Sequence, residues 1–229
     1  MIALGGTNIV KAFLGQTELA NVAIGDELLL SSEEPLPEGV VKIEYLKSSG
    51  TQYTNTGILP DGTTKAELNG VFKYSAGTTR FGSRAGATSL QFDVITGSDN
   101  NIRIDLGTGT IAKSQWTVGQ NVVSAIIIDA STKKAAIEYG GNIVTHTYTS
   151  SFPSQSSYPL TLFAFNNAGN ILLASDMTVS SFRCWKSDAL VMDMIPVRVG
   201  TTGYMYDKVS KTLFGNDGTG DFILGNDVT

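Results

Sequence analysis

Paired carboxylates are the first chemistry that this sequence could carry. A retaining glycosidase holds two carboxyl groups about 5 Å apart, and alternate residues of one strand can place them on the same side. The chain has eight glutamates. Glu67 and Glu138 each stand alone within the main part of the chain, without a second carboxylate at such a spacing. The sequence therefore predicts that the protein is not a glycosidase.

The single histidine and the single cysteine limit other catalytic machinery. His146 lies in an alternating polar stretch, residues 144–148, with no Gly-x-Ser-x-Gly turn beside it, so we expect a surface or half-buried strand residue there. Cys184 excludes an intramolecular disulfide and a cysteine-rich zinc site. Its alternation with Phe182 predicts a buried strand position. We expect no catalytic residue, no metal and no other cofactor.

Calcium needs only oxygen ligands, and two loops could supply them. Residues 97–101 and 216–218 are rich in Asp and Asn. The alternative is ordinary turn chemistry, since both residue types bond their own backbone and tolerate left-handed conformations. We favour turns over metal because neither loop has the carboxylate density that a calcium site needs.

Sugar binding is a different chemistry, because a sugar offers C–H patches to aromatic rings and hydroxyls to amides and charged groups. Arg80 and Trp185 belong to the wider set of candidates, but the position of Trp185 in its strand predicts packing between two sheets. The residues that we expect to contact a glycan are Trp116, Tyr148, Tyr158, Arg84, Asp93 and Asn101.

Strands must position these side chains. Residues 66–74 alternate between apolar and polar types, and the same two-residue period recurs at 90–94 and 102–106. Further strands rich in β-branched and aromatic residues are predicted at 122–128, 160–165, 179–185 and 190–199. No apolar stripe of helical period is present. With 229 residues and 41% hydrophobic residues, the chain is predicted to be all-β, with two stacked antiparallel sheets or a closed barrel.

A ten-residue repeat occupies the N-terminal segment. Leu4, Leu14 and Ile24 are each followed by glycine, which indicates short strands joined by tight turns, so residues 1–30 are predicted to form a small β-meander. Such hairpins are marginal in water. We therefore expect an attachment module that uses these three residues, the alternative being ordinary strands of one domain. Residues 31–39 are predicted to be a linker, and residues 40–229 the main domain.

Charge and hydropathy limit the partners. The net charge is −5, and no basic cluster exceeds the pair Lys133 and Lys134, so we expect no nucleic acid. No apolar run is long enough to span a bilayer, and we expect no membrane partner. No signal peptide is recognised at Met1, so we expect a protein made in the cytoplasm that is not classically secreted.

Two stretches of the chain carry a resemblance. Residues 43–58 resemble the opening strand and loop of concanavalin A-like, laminin G-like jelly rolls, which occur in bacteriophage structural proteins and in surface proteins of gut bacteria. Residues 195–198, followed by 204–216 and 218–222, resemble the closing segment of the same group. Together they bracket residues 40–225. The leading repeats are similar to leader segments of phage tail and head proteins.

The resemblance implies a jelly-roll β-sandwich of two antiparallel sheets on a non-enzymatic virion structural protein, either a head or tail fibre or a capsid decoration. The implied location is the virion, and the implied partners are other virion proteins of the capsid or tail, together with host-surface glycans. Because such proteins often close into symmetric rings, we expect a homo-oligomer, most simply a trimer. The alternative is a carbohydrate-binding lectin or adhesin domain of a bacterial surface.

Overall fold

The computed structural model describes residues 13–14, 17–18, 21–24, 27–31, 34–72, 80–96, 101–109, 113–117, 123–173 and 175–228. For residues 13–14, 17–18, 21–24, 27–31 and 113–117, and for 96, 173, 175 and 176, the description is of the backbone alone. The chain divides into two compact units, Met1–Glu38 and Gly39–Thr229.

The first unit contains short antiparallel hairpins. Its strands are β1 (Phe13–Leu14), β2 (Thr17–Glu18), β3 (Asn21–Ile24) and β4 (Glu27–Ser31). Strand β1 pairs with β2, with Leu14 opposite Thr17, and β3 pairs with β4, with Ile24 opposite Glu27. The glycine-containing repeat predicts a β-meander of short strands joined by tight turns, whereas the described strands form two separate two-stranded sheets. Leu4 lies outside the described residues, and the attachment role of this unit stays a prediction.

The second unit is built from strands. In chain order they are β5 (Val40–Lys42), β6 (Leu46–Ser49), β7 (Thr54–Asn55), β8 (Thr64–Phe72), β9 (Arg80–Arg84), β10 (Gln91–Thr96), β11 (Asn101–Gly107), β12 (Lys113–Thr117), β13 (Val123–Asp129), β14 (Lys134–Tyr139), β15 (Asn142–Thr147), β16 (Thr161–Leu162), β17 (Ala164–Asn167), β18 (Asn170–Leu173), β19 (Ser175–Lys186), β20 (Ala189–Val199), β21 (Thr202–Asp207), β22 (Thr212–Phe214) and β23 (Ile223–Leu224).

These strands form two sheets. The larger has the order β15-β14-β13-β8-β19-β20-β21-β22, with β5 beside β20, β6 beside β19 and β23 beside β6. The smaller has the order β12-β11-β10-β9-β16-β7, with β17 and β18 at its side. Neighbouring strands run antiparallel except β17 and β9, which run parallel.

The sheets pack face to face around one apolar core. The ring of Phe81 in the smaller sheet lies 5.6 Å from the ring of Phe182 in the larger sheet, and each side chain is at most 1% exposed. Alternation supplies this core, because Ala66 and Leu68 of β8 point inward while their neighbours Lys65 and Glu67 stay partly exposed. The predicted all-β sandwich of two antiparallel sheets is confirmed.

The two ends of the second unit are tied to each other. Thr51 Oγ1 donates a hydrogen bond to the carbonyl of Thr219 at 2.7 Å, and the Thr219 N–H donates to the carbonyl of Thr51 at 3.0 Å. The Asp217 N–H donates to the Tyr53 carbonyl at 2.8 Å, and Asp217 Oδ2 accepts from the Asn55 N–H at 2.8 Å. We call residues 51–55 and 215–220 the terminal clasp. It joins the two stretches that carry the resemblance.

A buried carboxylate braces the closing segment. Asp207 is fully buried, and its oxygens accept hydrogen bonds from the backbone N–H groups of Asp193 at 2.7 Å, Val209 at 3.2 Å and Ser210 at 2.9 Å. Burial by itself raises the pKa of this carboxyl, but the hydrogen bonds from Ser210, Asp193 and Val209 outweigh burial and lower the pKa. The carboxylate therefore holds β20, β21 and the turn after β21 together.

The clasp leaves no room for a side chain at Gly218. A Cβ atom there would lie 2.1 Å from the carbonyl oxygen of Thr51, and a backbone atom cannot move aside as a flexible side chain can. At Gly215, in the same segment, a Cβ atom would meet only the ring of Tyr204, at 3.6 Å, which is ordinary contact.

We expect Gly218→Ala to lower the free energy of unfolding by about 1–3 kcal/mol, because the added methyl group must push the two ends apart. Gly215→Ala is the matched control and should change the free energy by less than about 0.5 kcal/mol. Urea denaturation followed by tryptophan fluorescence measures both. Equal stability of the two variants would show that the clasp adjusts without cost.

Candidate functional site

The outer face of the smaller sheet is polar. In β10, Phe92 and Val94 point into the core, so Gln91 and Asp93 point away from it. In β11, the same alternation separates the core residues Ile102 and Ile104 from their polar neighbours. We call the outward set the polar face; it comprises Arg80, Arg84, Gln91, Asp93, Asn101, Arg103 and Asp105.

Acids and amides form the deeper layer of the polar face. Gln91, Asp93 and Asp105 are 0% exposed, and Asn101 is 6% exposed. Gln91 Nε2 donates to the carbonyl of Gly109 at 3.2 Å. Gln91 Oε1 and Asn101 Oδ1 accept no hydrogen bond from the part of the chain that the structure describes. Buried acceptors of this kind are uncommon, and they often mark a position where water or a ligand binds.

The strand register brings together two carboxylates that are distant in the sequence. Asp93 of β10 lies directly opposite Asp105 of β11, which places their Cβ atoms about 5 Å from each other. Arg103 Nη2 lies 3.0 Å from Asp105 Oδ2. Both carboxylates are buried, so this pair is not open to a substrate. Sequence reasoning missed Arg103 and Asp105, although their alternation with Ile102 and Ile104 was visible.

Arginines are the members of the polar face that reach the surface. Arg84 Nε donates to Asn167 Oδ1 at 2.8 Å, and its guanidinium lies 4.6 Å from the centre of the Phe165 ring. Arg80 Nε has no acceptor among the described residues. Burial lowers the pKa of Arg80, and the charge of Arg84 lowers it further. Arg80 therefore carries a half-buried positive charge for which no carboxylate among those residues compensates.

Arg84 and Tyr158 border the same loop, residues 166–169. The Ala168 N–H donates to the carbonyl of Arg84 at 2.9 Å. On the other side, the position of a Cβ atom at Gly169 is 3.8 Å from the Tyr158 ring, and Tyr158 itself is half-buried. The structure thus brings these two predicted glycan-binding residues to one end of the smaller sheet, where both are partly exposed.

Other predicted glycan-binding residues lie deeper. Tyr148 is 3% exposed and its hydroxyl donates to the carbonyl of Ile104 at 2.9 Å. Tyr148 belongs to the core between the sheets, whereas Asp93 and Asn101 are buried members of the polar face. Trp116 of β12 lies opposite Ile102 of β11. Its side chain lies outside the described residues.

The prediction that Trp185 packs between the sheets is wrong. Phe182 and Cys184 of β19 are buried in the core, so the next residue points to the opposite, outer face of the larger sheet. There the Trp185 ring lies under Lys65 Nζ at 4.8 Å and near Arg183 Cζ at 5.6 Å. The alternation that correctly buries Cys184 also excludes Trp185 from the core.

Glu67 and His146 are held by contacts within the protein. Glu67 accepts hydrogen bonds from Asn69 and Arg183; burial raises its pKa, but these bonds outweigh burial and lower it. His146 is exposed and packs edge-on against Tyr148 at 4.7 Å. Among the described residues, no group of three or more His, Cys, Asp or Glu side chains is placed to hold a metal ion.

The loop at 216–218 uses its oxygens within the protein. Asn216 Oδ1 accepts from the N–H groups of Tyr53 at 3.1 Å and Gly218 at 2.8 Å, while Asp217 Oδ2 belongs to the terminal clasp. Turn and clasp bonds therefore explain these residues. Residues 97–100 lie outside the described part of the chain. No helix among the residues described has the length and apolar character that crossing a bilayer requires.

Comparison with known proteins yields structural neighbours only. No family model matches the sequence, and no curated protein matches it. A Ruminococcus gnavus IT-sialidase CBM40 superposes with a TM-score of 0.43 at 11% identity, over 66% of this chain and 93% of that chain. The leech intramolecular trans-sialidase gives 0.43 at 14% identity, over 66% and 26%. The NanB sialidase of Streptococcus pneumoniae gives 0.39 at 10% identity, over 80% and 39%. The chain thus spans only part of the two longer sialidases.

Cys184 gives a direct test of the core. The side chain is 0% exposed and burial raises the pKa of its thiol to about 12. At about pH 8 only ~1 in 10,000 molecules would carry a thiolate. We expect iodoacetamide to leave the native protein unlabelled and to label it fully in guanidinium chloride, as read by mass spectrometry. Cys184→Ser should show no label in either condition. Rapid labelling of the native protein would contradict this burial.

Proposed function

We propose that the second unit is a non-enzymatic, lectin-like module that binds acidic glycans at the polar face. The observation that supports this most is Arg80, whose half-buried guanidinium has no acceptor at Nε among the described residues. A guanidinium binds a carboxylate through two parallel hydrogen bonds. A carboxylate on a sugar would supply the negatively charged partner that Arg80 lacks in the described part of the chain.

The layout of the polar face suits a ligand larger than one charged group. Arg80 and Arg103 lie in one row across the sheet with Ile95 between them, so their Cα atoms are about 10 Å apart. Arg84 lies four residues along β9 from Arg80, about 13 Å away. The half-buried Ile95 separates the charges with an apolar surface that can contact the C–H groups of a sugar ring.

Groups around the arginines can serve the uncharged parts of a sugar. Asn167 holds Arg84 through its Oδ1 atom, which leaves its amide nitrogen available to a hydroxyl. Tyr158, at the same loop, presents part of its ring. Rings and amides beside charged groups are the combination that a sugar requires. These features favour a glycan over a simple inorganic anion.

Calorimetric titration with sialyllactose and with lactose tests this proposal, since the two ligands differ by one carboxylate-bearing sugar. We expect binding of sialyllactose, or of an oligogalacturonate as a second acidic ligand, and little binding of lactose. Arg80→Gln should weaken acidic binding by at least about tenfold, or about 1.4 kcal/mol, because a charge-assisted hydrogen bond is lost. Added salt should weaken wild-type binding.

Lys133→Gln is the control for that titration, because it removes one positive charge from the exposed turn between β13 and β14. It should bind like the wild type. Circular dichroism confirms that each variant is folded. If the wild type binds neither acidic ligand, or if Arg80→Gln binds as well as Lys133→Gln, the assignment of the polar face is wrong.

For its setting we propose display on a virion, with the first unit attaching the chain to the particle and the second facing outward. The resemblance of residues 43–58, 195–198, 204–216 and 218–222 to jelly rolls that occur in phage structural proteins supports this, as do the short hairpins of the first unit, which are marginally stable alone. A bacterial surface lectin or adhesin fits the polar face equally well.

Particle preparations from cells that carry the gene separate these two settings. We expect the full chain to co-purify with phage particles, and a chain that lacks residues 1–38 to be lost from them, because the attaching surface has been removed. Immunoblots of purified particles and of cell envelopes measure both. Recovery of the full chain with the envelope alone would favour the surface lectin.

A further inference from the structure

Strand β15 ends the larger sheet. In the part of the chain that is described, it pairs only with β14. Gly140 and Gly141 join the two strands, with φ values of 56° and 75°, which is the two-residue turn whose flanking residues, Tyr139 and Asn142, exchange hydrogen bonds. The backbone groups of even-numbered residues therefore face β14. The Tyr148 N–H, which donates to the Lys133 carbonyl at 2.8 Å, follows the same parity.

The odd-numbered residues turn their backbone groups away from the sheet. These are Ile143, Thr145 and Thr147, and all are exposed, with Ile143 at 70%. Their N–H and C=O groups form a row that could accept another strand. Their side chains lie on the outer face of the larger sheet, beside Lys134, Ala136 and Glu138 of β14.

Nothing in β15 protects this edge. Natural sheets block their edges with lysine, proline, a bulge or a short strand. Residues 142–147 contain no proline and no Asp, Glu, Lys or Arg, and the register with β14 runs through six residue pairs without a shift. Four of the six residues are β-branched, a type that favours strands.

We propose that two copies of this chain pair antiparallel along β15, so that their larger sheets join into one continuous sheet. A two-fold axis at Thr145 places this residue opposite its counterpart, and Ile143 of each copy opposite Thr147 of the other. All three outward-facing residues then fall in hydrogen-bonded pairs, with about six hydrogen bonds in all. An edge that satisfies itself through a two-fold axis is self-complementary.

The charges beside the edge are compatible with this direction. On the outer face of β14, Lys134 lies next to Thr147 and Glu138 lies next to Ile143. Neither forms an ion pair with the residues described. Antiparallel pairing puts Lys134 of one copy in the same row as Glu138 of the other, about 14 Å away across three strand spacings. A parallel arrangement would align lysine with lysine.

Burial of Ile143 adds to the pairing. Its side chain borders an apolar hollow on the outer face, lined also by Ala125, Ile127 and Ala136. Thr147 of the second copy would lie beside Ile143 and cover part of this surface. Cross-strand contacts between β-branched residues stabilise a sheet. This interface predicts a dimer, whereas the resemblance to fibre and decoration proteins that close into symmetric rings led to the expectation of a trimer.

Light scattering and sedimentation of the full chain over a range of concentrations test the proposal. We expect the wild type to show twice the mass of the chain. Thr145→Pro removes one outward N–H without breaking the pairing with β14, and Thr145→Lys places two like charges at the two-fold axis. Both should raise the dimer dissociation constant at least tenfold, whereas Thr145→Val, which keeps the N–H, should remain a dimer.

Hydrogen exchange gives a second measurement that does not depend on the variants. The amides of Ile143, Thr145 and Thr147 should become more protected as the wild-type concentration rises. Circular dichroism confirms the fold of each variant. A wild type that is monomeric or trimeric at every concentration, or a dimer that Thr145→Pro and Thr145→Lys leave intact, would overturn the proposal.

Discussion

Alternation along each strand is the constraint on which the rest of this structure depends. Because neighbouring side chains point to opposite faces, each strand that helps to enclose the core must also build an outer surface. In β11, Ile102 and Ile104 complete the core, and Asn101, Arg103 and Asp105 thereby become part of the polar face. In β19, burial of Cys184 exposes Trp185. The interior and the candidate binding surface are two consequences of the same period.

Hydrogen bonds between the two ends of the second unit close the sandwich. The terminal clasp joins residues 51–55 to 215–220, which are about 160 residues apart in sequence, and the Asp207 carboxylate braces the strands that lead into it. These bonds are mostly made by backbone groups and by short polar side chains. That explains why both stretches are rich in Gly, Ser, Thr, Asn and Asp.

The two outer faces of the sandwich differ in a way that separates their proposed uses. On the larger sheet, two partly exposed pairs of opposite charge neutralise each other, Arg183 with Glu67 and Lys208 with Asp193. On the smaller sheet, Arg80 has no acid partner at Nε among the described residues. A negatively charged ligand would therefore bind more strongly at the smaller sheet. The edge of the larger sheet at β15 suits pairing with a second copy of the chain.

The sequence alone determined the class of fold, because a two-residue period is a local property that can be read without knowing which strands are neighbours. It also indicated the burial of Cys184 and a surface or half-buried strand position for His146. Only the tertiary structure decided which strands pair: the opposition of Asp93 and Asp105, the row of Arg80 and Arg103, and the place of β15 at an edge. Such pairings are made between distant parts of the chain and depend on the packing of the whole sandwich, so no local pattern encodes them.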